Sequence, residues 1–255
     1  MELFLITKPE LKSTNETMSD LLMQCPSLME GTVVRAVCQT AGKGQVGNHW
    51  ESEDGKNLTF SLLLRPLFLD IQRHFFLSMA TSLGIADYLE SLEIENVKIK
   101  WPNDIYVKDN KICGILIENV ISGREIDTCT VGIGLNVNQV KFVSDAPNPV
   151  SVAMLTGRNF DLDEAMTRLF SFINERYEML RCSRFDELKK AYLSKLYRYN
   201  ELSQYRIAES GEVKELVIDD VKMDGTLCVK DASSNKYEFV FKEIEFLQDE
   251  KFKIF

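Results

Sequence analysis

The clearest pattern along the chain is a stripe of apolar side chains between Asp70 and Leu92. Its members recur three or four residues apart and therefore fall on one face of a helix: Ile71, Phe75, Phe76, Met79, Leu83, Ala86 and Leu89. The same spacing predicts amphipathic helices over residues 161–180 and 184–199. A further helix, ending at about Cys25, is predicted to begin at Ser13-Thr14-Asn15-Glu16, where the Ser-x-x-Glu spacing is that of a capping box.

Between and around these helices, short runs rich in β-branched residues predict strands. Seven are expected before residue 140, over residues 3–7, 33–38, 58–64, 97–101, 105–107, 112–118 and 127–137. The turns between the later strands, such as Lys108-Asp109-Asn110-Lys111, are too short for a crossover helix, so these neighbours should be antiparallel. We therefore predict an α+β fold with a mixed, largely antiparallel sheet packed with helices on one face.

After Asn200 the pattern changes to short β segments alone, over residues 213–221, 226–230 and 237–247. Turn-forming residues separate them, at Asp224-Gly225 and Ser233-Ser234-Asn235. A helix-rich region that gives way to short strands marks a domain boundary. We predict two domains, residues 1–202 and residues 203–255, of which the second is a small β-barrel.

The composition is that of an ordinary folded protein of 255 residues, 45% of them hydrophobic. Acidic side chains outnumber basic ones by 39 to 30, and the net charge of −9 argues against broad nucleic-acid binding, which depends on a basic surface. No apolar run approaches the roughly 20 residues that a membrane-spanning helix needs. The first residues also lack the features of a secretory signal. We expect a cytoplasmic protein that binds neither nucleic acid nor membrane.

The residue types available limit the chemistry. The six cysteines contain no C-x-x-C pair, and the only histidines are His49 and His74. A disulfide framework, a histidine-ligated metal and histidine-based nucleophilic catalysis are therefore poorly supported. Any reaction must depend on lysine, aspartate, asparagine or backbone groups, and an anionic ligand needs a local basic pocket.

A glycine-rich segment follows the second predicted strand and reads Gly42-Lys43-Gly44-Gln45-Val46-Gly47. It matches the G-x-G-x-x-G motif of dinucleotide-binding folds, but residues 48–57 have no apolar period from which the required helix could form. The glycines would let backbone N–H groups approach an anion, with Lys43 as a charge and Trp50 as a flat surface. An exposed hairpin loop with Trp50 packed at its edge fits the pattern equally well.

The most informative stretch runs from Lys98 to Val107. Alternation places Val97, Ile99 and Trp101 on one face and Lys98 and Lys100 on the other. Asn103-Asp104 lies where the strand breaks, and Lys111 follows across a tight turn. Gly114 and the segment Gly132-Ile133-Gly134-Leu135-Asn136 then interrupt branched strands with glycine, as expected where a ligand comes close. Taken singly, each residue also fits an ordinary turn or a solvated strand face.

Four of these segments, in this order along the chain, resemble those of the biotin protein ligases. They are Ser13-Thr14-Asn15, the glycine segment with Gln39 before it and Trp50 after it, Lys100-Trp101-Pro102-Asn103-Asp104 with Lys111-Ile112-Cys113-Gly114, and Gly132-Ile133-Gly134-Leu135-Asn136. The Lys-Trp-Pro-Asn-Asp string is highly specific to that family, and the glycine segment is less so. The resemblance covers residues 3–195. It implies a class II synthetase-like catalytic domain, followed by an SH3-like C-terminal domain.

The resemblance also implies a two-step ligase reaction that forms an amide bond. Biotin and Mg-ATP would give biotinyl-5′-AMP and pyrophosphate, and a specific lysine of a biotin carboxyl carrier domain would then take the biotin and release AMP. ATP, Mg²⁺ and biotin are the implied small molecules, and the protein would act as a monomer or a homodimer. No residue of this chain is assigned as a metal ligand.

Individual roles follow from the same resemblance. The implied catalytic residues are Lys111, Lys100 and Asp104, with Lys111 between the biotin carboxylate and the α-phosphate and Asp104 beside the incoming lysine. The implied biotin-binding residues are Ser13, Thr14, Asn15 and Gln39 at the ureido ring, and Lys43, Gly44, Gln45, Lys111 and Gly114 along the chain and carboxylate. The implied residues for ATP and the adenylate are Lys43, Gln45, Trp50, Asn103, Lys111 and Asn136.

Two departures from the family pattern affect these expectations. Many members carry arginines where this chain has Lys43 and Gln45, so retention of the adenylate should rely more on Lys43 and Lys111. Some members begin with a DNA-binding domain, whereas the first catalytic strand is predicted here within the first residues. We therefore expect an enzyme that does not bind an operator.

Two alternatives stay open at this point. Lipoate–protein ligases share the fold and the adenylate chemistry, but their motif of consecutive glycines before His-Asp has no counterpart, because this chain contains no Gly-Gly pair. A decayed, non-catalytic binding protein is the second alternative. Retention of Lys100, Asp104, Lys111 and Asn136 argues against it.

Overall fold

A seven-stranded sheet forms the larger part of the computed structural model, which describes residues 1–44, 49–143 and 148–247. Its strands are β1 Phe4–Leu11, β2 Thr32–Gln39, β3 Leu58–Leu64, β4 Val97–Lys100, β5 Asp104–Val107, β6 Asn110–Ser122 and β7 Glu125–Leu135. They lie in the order β1-β2-β3-β7-β6-β5-β4, with β1 parallel to β2 and every other neighbouring pair antiparallel. The predicted mixed, largely antiparallel sheet is confirmed.

The helices are α1 Thr14–Gln24, α2 Phe75–Glu90, α3 Val152–Thr156, α4 Leu162–Arg181 and α5 Phe185–Lys195, and a 3₁₀ turn at Ile71–Arg73 precedes α2. The apolar stripe predicted a helix with one buried face, but α2 is buried on almost every side because α4 covers its outer surface. Gly84 permits this close crossing, since a Cβ there would lie 2.6 Å from the Cα of Ile173. In the described ranges, no helix is both long and apolar enough to cross a bilayer.

The expectation that all helices lie on one face of the sheet is wrong. Alternation along β3 directs Leu62 towards the large core around α2, and directs Ser61 and Leu63 to the opposite face. Met18 of α1 packs on that second face against Val34 and Leu63 in a small apolar cluster. Buried polar residues such as Ser61 lie beside it. The sheet therefore has a densely packed apolar side and a side on which α1 leaves room for a groove.

A second sheet of five antiparallel strands follows, in the order β11-β10-β9-β8-β12. Its strands are β8 Leu202–Ile207, β9 Val213–Val221, β10 Leu227–Lys230, β11 Lys236–Phe239 and β12 Ile244–Phe246. The single strand expected over 237–247 is thus two strands, and the turn between them includes Lys242 at φ +72°. The predictions missed α3 and β8, and α5 ends at Lys195 instead of residue 199. Apolar residues of both sheets share one core, and the indole N–H of Trp101 donates to the carbonyl of Gly225 at 2.8 Å.

Candidate active site

A groove of about 1390 Å³ lies on the α1 side of the seven-stranded sheet and extends to the second sheet. The structure brings together at this groove nearly all the site residues predicted from the sequence: Ser13, Thr14, Asn15, Gln39, Lys43, Gly44, Trp50, Lys100, Asn103, Asp104, Lys111 and Gly114. Gln45 lies outside the described residues. These residues come from separate segments of the chain, so their assembly depends on the sheet that carries them.

The floor of the groove is made by glycines of β6 and β7 under the indole of Trp50. A Cβ at Gly134 would lie 2.3 Å from Cε2 of Trp50, and one at Gly114 would lie 3.1 Å from its Cζ3. Only glycine leaves room for the ring at Gly134. The Nε1 of Trp50 is buried and has no hydrogen-bond partner among the described residues.

At one end of the groove lie neutral polar groups around the beginning of α1. The backbone N–H of Thr14 donates to Oε1 of Gln39 at 2.9 Å, which orients the Gln39 amide with its NH₂ group towards Gly42. Ser13, Thr14 and Asn15 are each buried. Buried neutral donors and acceptors of this kind suit a polar, uncharged ring, because a charged ligand group would find no counter-ion among these three residues.

The predicted capping box at this helix is wrong. The Ser13 side chain makes no capping hydrogen bond, and Oε1 of Glu16 pairs with Nζ of Lys43 at 2.5 Å. This hydrogen bond holds the pKa of Glu16 below its ordinary value. The Glu16 carboxylate, which the local pattern assigned to the N-terminus of α1, is therefore paired with a lysine from a distant loop. The pairing ties the glycine segment to α1.

At the other end of the groove, Lys111 and Asp104 form an ion pair on the β5–β6 hairpin, with Nζ of Lys111 2.7 Å from Oδ1 of Asp104. The ammonium also lies 5.8 Å from the centre of the Trp50 ring system. Both side chains are partly buried, and both line the groove. This pair places one cation and one carboxylate side by side in the groove.

Lys100 has different partners. Its ammonium donates to the hydroxyl of Tyr106 at 3.2 Å and lies 4.7 Å from the centre of the Tyr106 ring. The Phe246 ring, contributed by β12 of the second sheet, lies 5.3 Å away. Burial lowers the pKa of Lys100 below its ordinary value, and the nearby Asp104 carboxylate partly opposes this effect. Sequence reasoning missed Phe246, because nothing in the local pattern near residue 246 relates it to Lys100.

Replacing Lys100 by methionine should raise the free energy of unfolding at about pH 7. Between the lowered pKa and the ordinary value of 10.5, the folded protein binds fewer protons than the unfolded chain, so wild-type stability rises with pH in that window. The advantage of the variant should therefore shrink when urea unfolding is repeated at about pH 9.5. Lys98→Met, at a half-buried position two residues earlier in the same strand, is the control. If the stability advantage of Lys100→Met over the wild type increased with pH, the lowered pKa of Lys100 would be wrong.

Two predicted site residues have mainly structural contacts. The Asn103 amide donates to the carbonyl of Ile115 at 2.6 Å, so it braces β6 while it lines the groove. Asn136 does not reach the groove, because its amide NH₂ is buried and donates to the carbonyl of Val150 at 3.1 Å. Its Oδ1 is buried without a partner among the described residues. The expected position of Asn136 beside the phosphates is therefore not seen.

The fold and the groove together define an α+β domain with a groove large enough for a small molecule, which has a neutral polar end and an end that carries the Lys111–Asp104 ion pair. The chain belongs to the biotin/lipoate A/B protein ligase family, whose sequence model matches residues 9–136. The biotin–[acetyl-CoA-carboxylase] ligase of Paracoccus denitrificans is 30% identical over 220 residues, which cover 82% of this chain and 90% of that protein.

Other relatives are longer than this chain. The bifunctional ligase/repressor BirA of Bacillus subtilis is 30% identical over 190 residues, and the match covers 72% of this chain but 57% of the Bacillus protein. Among solved structures, a biotin protein ligase from Aquifex aeolicus in complex with biotin and ATP aligns over 96% of this chain and 99% of its own, with 25% identity and a TM-score of 0.77. A Leishmania major biotin protein ligase in complex with biotinyl-5-AMP, 20% identical with a TM-score of 0.64, shares the fold.

Proposed function

We propose that the protein is a biotin protein ligase, which activates biotin with Mg-ATP and transfers it to a lysine of a biotin carboxyl carrier domain. The observation that carries this proposal is the layout of the groove. Neutral hydrogen-bonding groups around Thr14 lie at one end, and the Lys111–Asp104 ion pair lies at the other. A bicyclic urea with an acidic tail has the matching polarity. The similarity to the Paracoccus biotin–[acetyl-CoA-carboxylase] ligase and to the Aquifex ligase in complex with biotin and ATP supports the same conclusion.

In the first step, the carboxylate of biotin must attack the α-phosphate of ATP, although the two groups are both anions. The Lys111 ammonium would lie between them and stabilise the charge that develops on the phosphate. Asp104 holds that ammonium in the ion pair until a ligand carboxylate competes for it. Lys43 would add a second positive charge at the edge of the groove.

In the second step, the amine of the carrier lysine attacks the acyl carbon of the adenylate. The new C–N bond forms, the C–O bond to AMP breaks, and AMP leaves with the electron pair. Asp104 lies at the groove surface, where it would orient the amine and accept its proton once Lys111 has engaged the phosphate. Lys100 would supply a further donor beside Asp104, with Phe246 covering its ammonium group.

Magnesium would be held chiefly by phosphate oxygens of ATP. Among the described residues, no group of three or more carboxylate, histidine or cysteine side chains is arranged to hold a metal ion. This agrees with the usual preference of Mg²⁺ for one or two carboxylates together with substrate phosphates and water. When bound, the ion would neutralise phosphate charge and assist departure of pyrophosphate, while the chain itself would orient the reacting carboxylate.

The remaining assignments belong to the same proposal. Ser13, Thr14, Asn15 and Gln39 would bind the ureido ring, and Gly44, Gln45 and Gly114 would line the valeryl chain and carboxylate. Trp50 and Asn103, which both line the groove, would complete the adenylate site. We further propose that residues 1–202 form the catalytic domain and that residues 203–255 form an SH3-like C-terminal domain, supported by the second sheet that begins at Leu202.

The experiment that tests this function is exchange of labelled pyrophosphate into ATP, with biotin, lipoate and octanoate as parallel acids. Biotin-dependent exchange alone is the expected result. Exchange with lipoate alone would retain the mechanism and overturn the substrate assignment. Absence of exchange with every acid would favour a non-catalytic binding protein.

Lys43 provides a separate test of how the intermediate is retained. Lys43→Ala should shorten the dissociation half-life of biotinyl-5′-AMP roughly tenfold, because one charge-assisted contact to the phosphate is lost. Release of the labelled adenylate from the purified protein measures this half-life directly. Lys56→Ala, an exposed lysine beyond the same loop, is the matched control. An unchanged half-life in Lys43→Ala would show that Lys43 does not hold the adenylate.

A further inference from the structure

Behind the neutral end of the groove, four polar side chains form a continuous chain of hydrogen bonds. The Nδ2 of Asn15 donates to Oε2 of Glu118 at 2.7 Å, and Oδ1 of Asn15 lies 2.5 Å from the hydroxyl of Ser61. The Ser61 hydroxyl lies 2.8 Å from that of Thr14. Thr14 and Asn15 line the groove, and Ser61 is completely buried beneath them. Glu118 lies at the solvent-exposed end of this series of hydrogen bonds.

The chemistry of these groups determines the direction of every hydrogen bond in the chain. A carboxylate only accepts, so Glu118 requires the NH₂ side of the Asn15 amide. The amide oxygen then faces Ser61 and also only accepts, so the single hydroxyl proton of Ser61 points at Asn15. Ser61 must therefore accept from Thr14. The Thr14 hydroxyl then donates its only proton to Ser61. Its oxygen keeps a lone pair as an acceptor for a ligand in the groove, which Thr14 lines.

Close packing keeps the Asn15 amide in this position. A Cβ at Gly132 would lie 2.4 Å from Oδ1 of Asn15, so the amide rests directly on the glycine of β7. Glu118 and Asn15 come from β6 and α1, and Ser61 comes from β3. Three elements distant in sequence are thus required to orient one hydroxyl group.

We propose that Ser61 and Glu118 are positioning residues that present the Thr14 hydroxyl as a hydrogen-bond acceptor, so that the pocket selects ligands with a ring N–H at this point. The proposal rests on the proposed function for the identity of the ligand, which is a cyclic urea. It assigns roles to two residues that do not line the groove. A ring oxygen in place of that N–H would meet the lone pair of Thr14 and be repelled.

The test compares biotin with its two cyclic carbamate analogues, each with one ring N–H replaced by oxygen, in pyrophosphate exchange. In the wild type, one carbamate should be disfavoured against biotin by about 100-fold in kcat/KM, as expected for a buried acceptor left unpaired. In Ser61→Ala, the Thr14 hydroxyl is free to turn its proton towards the ligand. The KM for biotin should rise about tenfold, and the discrimination against that carbamate should fall about tenfold.

Ser82→Ala removes another completely buried hydroxyl that does not line the groove. It should alter neither the KM for biotin nor the discrimination between biotin and the carbamate. Glu118→Gln covers the case in which Ser61→Ala fails to fold. Its amide can donate as well as accept, so it should change the discrimination in the same direction by about threefold, and Glu95→Gln is its exposed control. The KM for ATP should stay unchanged in all four variants.

The outcomes separate this inference from the proposed function. Equal losses for biotin and both carbamates in Ser61→Ala, with the discrimination unchanged, would overturn the positioning role and leave the ligase function intact. Absence of biotin-dependent exchange in the wild type would overturn both. The proposal would be established if Ser61→Ala and Glu118→Gln both discriminated less between biotin and the carbamate, while Ser82→Ala and Glu95→Gln kept the wild-type value.

Discussion

Lys111→Met is expected to lower the rate of biotin-dependent pyrophosphate exchange about 10³-fold, which is the upper range for removal of one preorganised electrostatic group. Lys111 carries the only ammonium paired with Asp104 among the described residues, and it lines the groove beside Trp50. Methionine keeps most of the side-chain volume and removes the charge. The biotin carboxylate and the α-phosphate would then repel each other without a cation between them.

Lys108→Met is the matched control for this prediction. Lys108 is an exposed residue of the same β5–β6 turn, at φ +54°, so the substitution removes one positive charge nearby without reaching the groove. It should retain exchange within about twofold, as expected for an exposed side chain outside the site. If Lys111→Met kept more than about a tenth of the wild-type rate, the electrophilic role of Lys111 would be wrong and another cation would have to supply it.

Gly134→Ala is expected to raise the KM for biotin about 100-fold, because a single methyl group at this position would occupy the space of the Trp50 ring. The added Cβ would lie 2.3 Å from Cε2 and 2.5 Å from Nε1 of Trp50, so the indole must leave the floor of the groove. Displacement of the ring by about 1 Å or more would narrow the groove and misplace the bound chain. Titration of biotin in the exchange assay measures the effect, and the fluorescence of Trp50 and Trp101 reports the displacement.

The other glycines provide a graded comparison. A Cβ at Gly114 would lie 3.1 Å from the Trp50 ring, so Gly114→Ala should have a much smaller effect than Gly134→Ala. Gly123 lies in the β6–β7 turn at φ +63° with open space around it, so Gly123→Ala should cost about 1 kcal/mol of stability and leave the KM for biotin unchanged. Equal effects of Gly134→Ala and Gly123→Ala would mean that close approach to Trp50 is unimportant.

Sequence patterns are most informative for groove residues that lie close together along the chain. Asp104 and Lys111 face each other because a tight turn joins β5 and β6, and both the turn and the alternation are visible in the sequence. The glycines at 114 and 134 were also recognisable, since glycine inside a branched strand indicates close approach. Local pattern was misleading at the start of α1, where the capping box was wrong because Lys43 competes for Glu16.

Taken by itself, the sequence determined the α+β class, the antiparallel hairpins and the residues that resemble those of biotin protein ligases. Each of these depends on periodicity, turns or short motifs, which are set by contacts within a few residues. Only the tertiary structure decided that α1 lies on the face opposite α2, that Phe246 covers Lys100, and that Asn136 turns away from the groove. It also decided that Glu118 reaches Asn15 across 103 positions of sequence. A hydrogen bond between distant residues has no local signature, because its partners meet only after the core has packed and set the register of the strands.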